Sequence, residues 1–143
     1  MLILLVLFTT DANSNLAWKI TDFGFSAMVG VSLPKPLSMG RMTRNYFAPE
    51  LLISSRYDQK VDIWSAGCIL YELATGCTAF PNDEAVRKYA WSGSHAPLVA
   101  DNRAGLGVEI EERVGEMLNI SPELRPDATT VLKNIPVESS PIC

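Results

Sequence analysis

Asp22-Phe23-Gly24 follows a stretch in which Leu16, Trp18 and Ile20 alternate with Ala17, Lys19 and Thr21. A period of two marks a strand. A carboxylate on the turn after a strand is an oxygen donor of the kind a hard cation takes. The plain alternative is an ordinary turn aspartate. Farther along stand Ala48-Pro49-Glu50, then Asp62-Ile63-Trp64-Ser65 with Gly67-Cys68, and last Arg125-Pro126. His95 is the only histidine and sits in the loop sequence Ser92-Gly93-Ser94-His95-Ala96-Pro97, so it reads as a solvated side chain with no nucleophile or ligand beside it. The cysteines Cys68, Cys77 and Cys143 are odd in number and form no C-x-x-C, which argues against a disulfide framework and a zinc site. Free thiols in a reducing compartment fit that usage.

The elements that would hold these residues are legible from periodicity. Leu2 to Phe8 is a continuous apolar run ended by the polar cluster from Thr9 to Asn15, and with the alternating strand after it suggests an antiparallel hairpin. Residues 22 to about 47 carry Gly24, Gly30, Pro34, Pro36 and Gly40 without a clear period. A connection that long is usually functional or disordered. From Pro49 the pattern is helical: a short helix through Ile53, then Val61 to Thr75 closed by Gly76. Val61, Ile63, Trp64, Ala66, Cys68, Ile69, Leu70, Tyr71, Leu73 and Ala74 cover every face of the second helix, which predicts burial nearly all round. A third helix runs from Pro81 to about Trp91, with Tyr89 and Trp91 expected in the core. Val108 to Leu118 is a fourth, striped by Ile110, Val114, Met117 and Leu118, and Pro126 to Asn134 a fifth. Asp62, at the head of an apolar helix, suits a capping role.

The chain has 143 residues with 48% hydrophobic and 20% charged residues, which fits one globular domain. Twelve Lys and Arg against sixteen Asp and Glu give a net charge of −4, so no chain-wide basic footprint for nucleic acid exists. The apolar run of Leu2–Phe8 is far short of the about 20 residues a membrane helix needs. No basic residue precedes it, since the first lysine is Lys19, so it reads as a buried strand in preference to a secretory signal.

Asp22-Phe23-Gly24 alone is weak evidence, arising by chance in about 2 of every 100 chains of this length. Four features in this order and context are not. The sequence resembles the C-terminal half of a eukaryotic protein kinase catalytic domain, and Thr43-Arg44-Asn45-Tyr46-Phe47-Ala48-Pro49-Glu50 points to the Ser/Thr branch. The resemblance covers about residues 2 to 135. It implies a mainly α C-lobe: a short N-terminal β-hairpin, a long activation segment over residues 22–50, then about five helices. The expected partial kinase domain is 1–135, with 136–143 a loose tail.

By the same resemblance, Asp22 would hold Mg²⁺ on the phosphates of ATP, Phe23 would pack between the lobes, and Gly24 would give the backbone room to flip. Thr43 would lie beside the acceptor hydroxyl, although Met42 stands where the family commonly has Gly. Ser32 and Ser38 are candidate phosphorylation sites on the segment, with a solvated loop serine as the plain alternative. Glu50 and Arg125 would form a buried ion pair, as against two unrelated surface charges. Asp62 would also bond the backbone of the catalytic loop, and Trp64 and Gly67 would be structural.

No G-x-G-x-x-G, V-A-I-K or H-R-D occurs in the chain. The resemblance therefore implies a fragment of a Ser/Thr kinase transferase, with Met1 an internal or misassigned start. The intact domain would use ATP and Mg²⁺, which the fragment would bind poorly, and its partners would be a protein substrate or kinase regulators. The fragment itself would be inactive. A non-catalytic interaction module or a pseudogene product is the alternative. The expected setting is intracellular and cytoplasmic, with no nucleic acid and no membrane. The long apolar helix would lack part of its cover, so the isolated chain is expected to self-associate.

Overall fold

The computed structural model describes residues 5–10, 16–21, 44–54, 57–92 and 107–133. Asp22, Phe23, Gly24, Ser32, Ser38, Thr43 and His95, together with the tail 136–143, lie outside the described residues. Strands β1 (Leu5–Thr10) and β2 (Leu16–Thr21) form a two-stranded antiparallel sheet, in register from Leu5↔Thr21 to Thr10↔Leu16. The rest is helical: a 3-10 turn at Arg44–Tyr46, α1 (Pro49–Ile53), α2 (Lys60–Thr75), α3 (Asp83–Ser92), α4 (Val108–Met117), a 3-10 turn at Pro122–Leu124, and α5 (Ala128–Lys133). The mainly α arrangement matches the C-lobe expectation.

Local chemistry sets the helix ends. Pro49 opens α1, where its missing N–H is no loss. Gly76, in the left-handed conformation at φ 72°, ends α2 and donates its N–H to the carbonyl of Glu72 at 2.8 Å. The start of α2 corrects the capping assignment. The helix begins at Lys60, so Asp62 stands in the first turn rather than at the cap. Its charge there complements the positive end of the helix. Asp58 does the capping work instead, accepting the Lys60 N–H at 2.8 Å.

The core gathers around Trp64 of α2, with Val61, Cys68 and Tyr71 from the same helix. Ala48 ahead of α1, Ala79 and Phe80 from the α2–α3 connection, Val86 of α3, and Val114 and Leu118 from α4 and its end complete it. Phe80 stacks on Trp64 with ring centres 5.4 Å apart and planes 12° from parallel, while Tyr89 meets both rings edge-on.

Two burial expectations are corrected. Leu73 is 79% exposed, so α2 is not covered all round. Its buried residues, Val61, Ile63, Trp64, Gly67, Cys68 and Tyr71, share the side that meets α4 and the 3-10 turns, and Leu73 lies off it. Trp91 is 78% exposed, because α3 buries Val86 fully and Tyr89 in part while Trp91 projects from another face.

Gly67 marks the tightest helix contact. A Cβ there would meet the Met117 Cβ at 2.9 Å and the Leu118 Cδ2 at 3.0 Å. The Met117 Cβ is fixed to its helix backbone and cannot swing aside. Alanine gains about 1 kcal/mol of helix propensity over glycine, whereas overpacking typically costs about 1–3 kcal/mol. Gly67→Ala is expected to lower stability on balance, and Gly67→Val to lower it more. Urea unfolding midpoints check both; a midpoint raised by Gly67→Ala would show that α4 moves away freely.

Candidate functional site

The described end of the long segment and the helix α1 that follows from it, residues 44–54, are fastened to the helical body by four side chains. The principal fastening is Arg125. It follows the 3-10 turn Pro122–Leu124 and is 2% exposed. Its Nη1 and Nη2 donate to the Glu50 carboxylate oxygens at 2.6 and 2.9 Å, across 75 positions of sequence. Nε donates to the Asn119 carbonyl at 2.7 Å, Nη1 also to the Lys60 carbonyl at 3.1 Å, and Nη2 also to the Ile120 carbonyl at 3.3 Å. All five guanidinium donors are thereby engaged. The guanidinium carbon also lies 5.0 Å from the Trp64 ring centre, a cation–π contact. The Lys60 ammonium bonds the Arg125 carbonyl.

Glu50 can take this role because Pro49 starts α1 one residue earlier, which places the carboxylate in the first turn. The bidentate fork fixes both position and orientation, which one point charge would not do.

The other three fastenings surround the same segment. Tyr46 donates its hydroxyl to Glu72 Oε2 at 2.7 Å. The Ser65 hydroxyl lies 2.9 Å from the Tyr46 carbonyl and 3.1 Å from the Val61 carbonyl. Arg87 Nη2 of α3 donates to the Leu52 carbonyl at 3.0 Å. Sequence reasoning missed Tyr46, Glu72, Ser65 and Arg87 in these roles. Tyr46 and Glu72 stand 26 positions apart, and Arg87 and Leu52 stand 35 apart, spacings that no local period encodes.

This polar seam has an alkaline signature. The hydrogen bond to Glu72, with burial and the carboxylate charge behind it, pushes the Tyr46 hydroxyl up to about 12. Burial pushes the Cys68 thiol from 9.0 to about 12. The folded chain then holds protons that the unfolded chain releases, so stability is fully present below the unfolded values of 9.0 and 10.0 and falls as pH rises toward about 12. Tyr46→Phe is expected to flatten that fall in unfolding midpoints measured between those limits. An unchanged slope would remove Tyr46 from the account. At neutral pH the buried Cys68 is expected to resist thiol alkylation while the exposed Cys77 reacts.

Among the described residues, Glu50, Arg125 and Trp64 come together, while Gly67 packs against Met117 and Leu118. Asp62 sits on α2, partly buried. The described residues contain no group of three or more His, Cys, Asp or Glu able to hold a metal ion. None of their helices is long and apolar enough to cross a membrane.

This helical lobe, with the buried bidentate Glu50–Arg125 pair fastening α1, has the arrangement of the C-lobe that the sequence resembles. The family match places it: residues 6–135 correspond to the protein kinase domain, and the chain belongs to that family. It is 37% identical over 116 residues to serine/threonine-protein kinase Nek8 of Danio rerio, covering 80% of this chain and 16% of that protein. It is 32% identical over 114 residues to serine/threonine-protein kinase SMU1 of Mycosarcoma maydis, covering 80% and 15%. It is 32% identical over 136 residues to ribosomal protein S6 kinase alpha-2 of Homo sapiens, covering 90% and 18%. The chain thus spans less than a third of the length of the curated relatives it matches.

Proposed function

We propose that these residues supply the C-lobe of a protein kinase that transfers the γ-phosphoryl group of ATP to serine or threonine of a protein substrate. The observation that carries the reading is the Glu50–Arg125 pair, buried and bidentate, which seats the end of the segment that would present the acceptor. Relatives named as serine/threonine-protein kinases support the acceptor class. In this reading Asp22 is the Mg²⁺ ligand beside Phe23 and Gly24, and Thr43 lies against the acceptor hydroxyl. The lobe occupies 1–135, and Ser32 or Ser38 is a phosphorylation site on the segment. The metal would neutralise charge on the phosphates, and the chain's own part is to hold the acceptor in line. The reading places the protein in the cytoplasm, among protein substrates and kinase regulators.

The 143 residues contain no Gly-rich loop, V-A-I-K lysine or H-R-D base. We propose that on their own they bind ATP and Mg²⁺ poorly and transfer no phosphate. The test is phosphotransfer from ATP to Ser-, Thr- and Tyr-containing peptides, measured on the product of the native transcript and on the 143 residues alone. Ser/Thr transfer by the former, abolished by Asp22→Ala, and none by the latter is the expected result. Tyr preference, or transfer by the short chain, would overturn the respective part.

A second reading, a non-catalytic module that binds kinase partners, is favoured by one observation: Trp91 stands 78% exposed on α3. Large exposed aromatics often anchor interfaces. We also propose that the isolated chain self-associates, supported by the exposure of Leu73 at 79%.

A further inference from the structure

We propose that Arg87 of α3 is a positioning residue for the protein acceptor: by holding the Leu52 carbonyl it sets the rotation of α1, and through it the affinity for the acceptor and not for ATP. The assignment rests on the kinase reading above and adds to it a side chain that governs acceptor binding. α1 has only five residues, Pro49–Ile53. A helix that short does not hold its own direction, because its last carbonyls find no donor within it. Its direction is set by what grips it from outside.

Two polar grips are present, one at each end. In the first turn, Arg125 takes the Glu50 carboxylate in a fork at 2.6 and 2.9 Å. In the last turn, Arg87 Nη2 donates to the Leu52 carbonyl at 3.0 Å, across 35 positions of sequence. This second bond is charge-assisted and meets the negative pole of the helix. Apolar burial does not duplicate it. Phe47, Ala48 and Pro49 are buried at the start, whereas Leu51 and Leu52 are only partly so. Without Arg87, α1 is fixed at its first turn and free to swing about it.

Arg87 acts as a strut because α3 is itself fixed. Val86 beside it is fully buried. Tyr89 packs edge-on against Trp64 and Phe80 and donates its hydroxyl to the Leu118 carbonyl at 3.1 Å. Trp64 is also the ring 5.0 Å beneath the Arg125 guanidinium. Both grips on α1 therefore stand on one base. α3 packs in addition against the 3-10 turn Arg44–Tyr46, just ahead of α1. A change at Arg87 is thus felt along residues 44–54, the part that adjoins Thr43 in the proposed acceptor site. The proposed Mg²⁺ ligand, Asp22, belongs to the other end of the segment.

Steady-state kinetics on the product of the native transcript test this, with ATP and a Ser/Thr-containing peptide varied in turn for the parent, Arg87→Met and Arg87→Lys. Methionine keeps the helix propensity and donates nothing. Lysine keeps a charged donor, which suffices for one carbonyl. The expected result is a peptide KM raised about tenfold by Arg87→Met, the size of one charge-assisted hydrogen bond. Arg87→Lys is expected to restore it, with the KM for ATP unchanged in both. A lower kcat with both KM values unchanged, following a lower melting temperature, would show a purely structural role and overturn the proposal. An equal rise in both KM values would overturn the acceptor assignment, and Arg87→Lys as poor as Arg87→Met would overturn the carbonyl as the contact. A parent that transfers no phosphate would overturn the kinase reading itself, and the acceptor role with it.

Discussion

Arg125→Ala is expected to unfold the chain or bring it to the edge of unfolding. Removing one partner of a buried ion pair costs about 3–5 kcal/mol, against a total stability of about 5–15 kcal/mol for a typical domain. The damage is not confined to Glu50. The substitution strips donors from the carbonyls of Asn119, Lys60 and Ile120, and leaves the Glu50 carboxylate, 12% exposed, without its counter-charge. Arg125→Lys is expected to recover only part of the loss. Lysine has three donors and no fork, so it cannot serve both carboxylate oxygens and three carbonyls together. Thermal melts of both variants check the order. A melting temperature unchanged in Arg125→Ala would mean that the pair is a bystander.

Trp64→Ala is the second large effect. Trp64 is fully buried, and the alanine variant would open a cavity beneath Phe80, Tyr89 and Arg125. Truncating a buried tryptophan costs about 3–5 kcal/mol. Trp64→Phe should cost much less. The indole Nε1 is buried with no hydrogen-bond partner among the described residues. Replacing it by carbon removes a polar group whose unsatisfied burial costs about 1–3 kcal/mol, which offsets part of the smaller ring's lost contact. Because the Arg125 guanidinium lies over the Trp64 ring, the two alanine substitutions should not add. Urea unfolding of the single and double variants reads the coupling. If Trp64→Phe proved as damaging as Trp64→Ala, the indole nitrogen would have a partner after all.

Much of this architecture was legible along the chain. Gly76 stops α2 because only a residue free of a Cβ enters the left-handed region without strain, and that is a local matter. Pro49 at the head of α1 and the alternation in β2 are local for the same reason. The pairing of Glu50 with Arg125 was reached through resemblance, since nothing in the spacing of two distant charges brings them together. The burial of α2 was misjudged at Leu73, and that of α3 at Trp91, because an apolar residue signals a preference for cover and not the presence of it. The role of Asp58 was missed for a smaller reason: α2 starts one residue earlier than its apolar pattern, and the cap moves with it.

What the sequence determined by itself was therefore the set of elements and the order of the motifs, because helix ends, strand periods and turn chemistry depend on neighbours a few residues apart. What only the tertiary structure decided was which side of each helix is covered, that all five donors of Arg125 find acceptors, and that Tyr46, Ser65 and Arg87 hold the same segment. Those outcomes depend on carbonyls and side chains brought within about 3 Å by the packing of distant elements. Local periodicity carries no record of such distances.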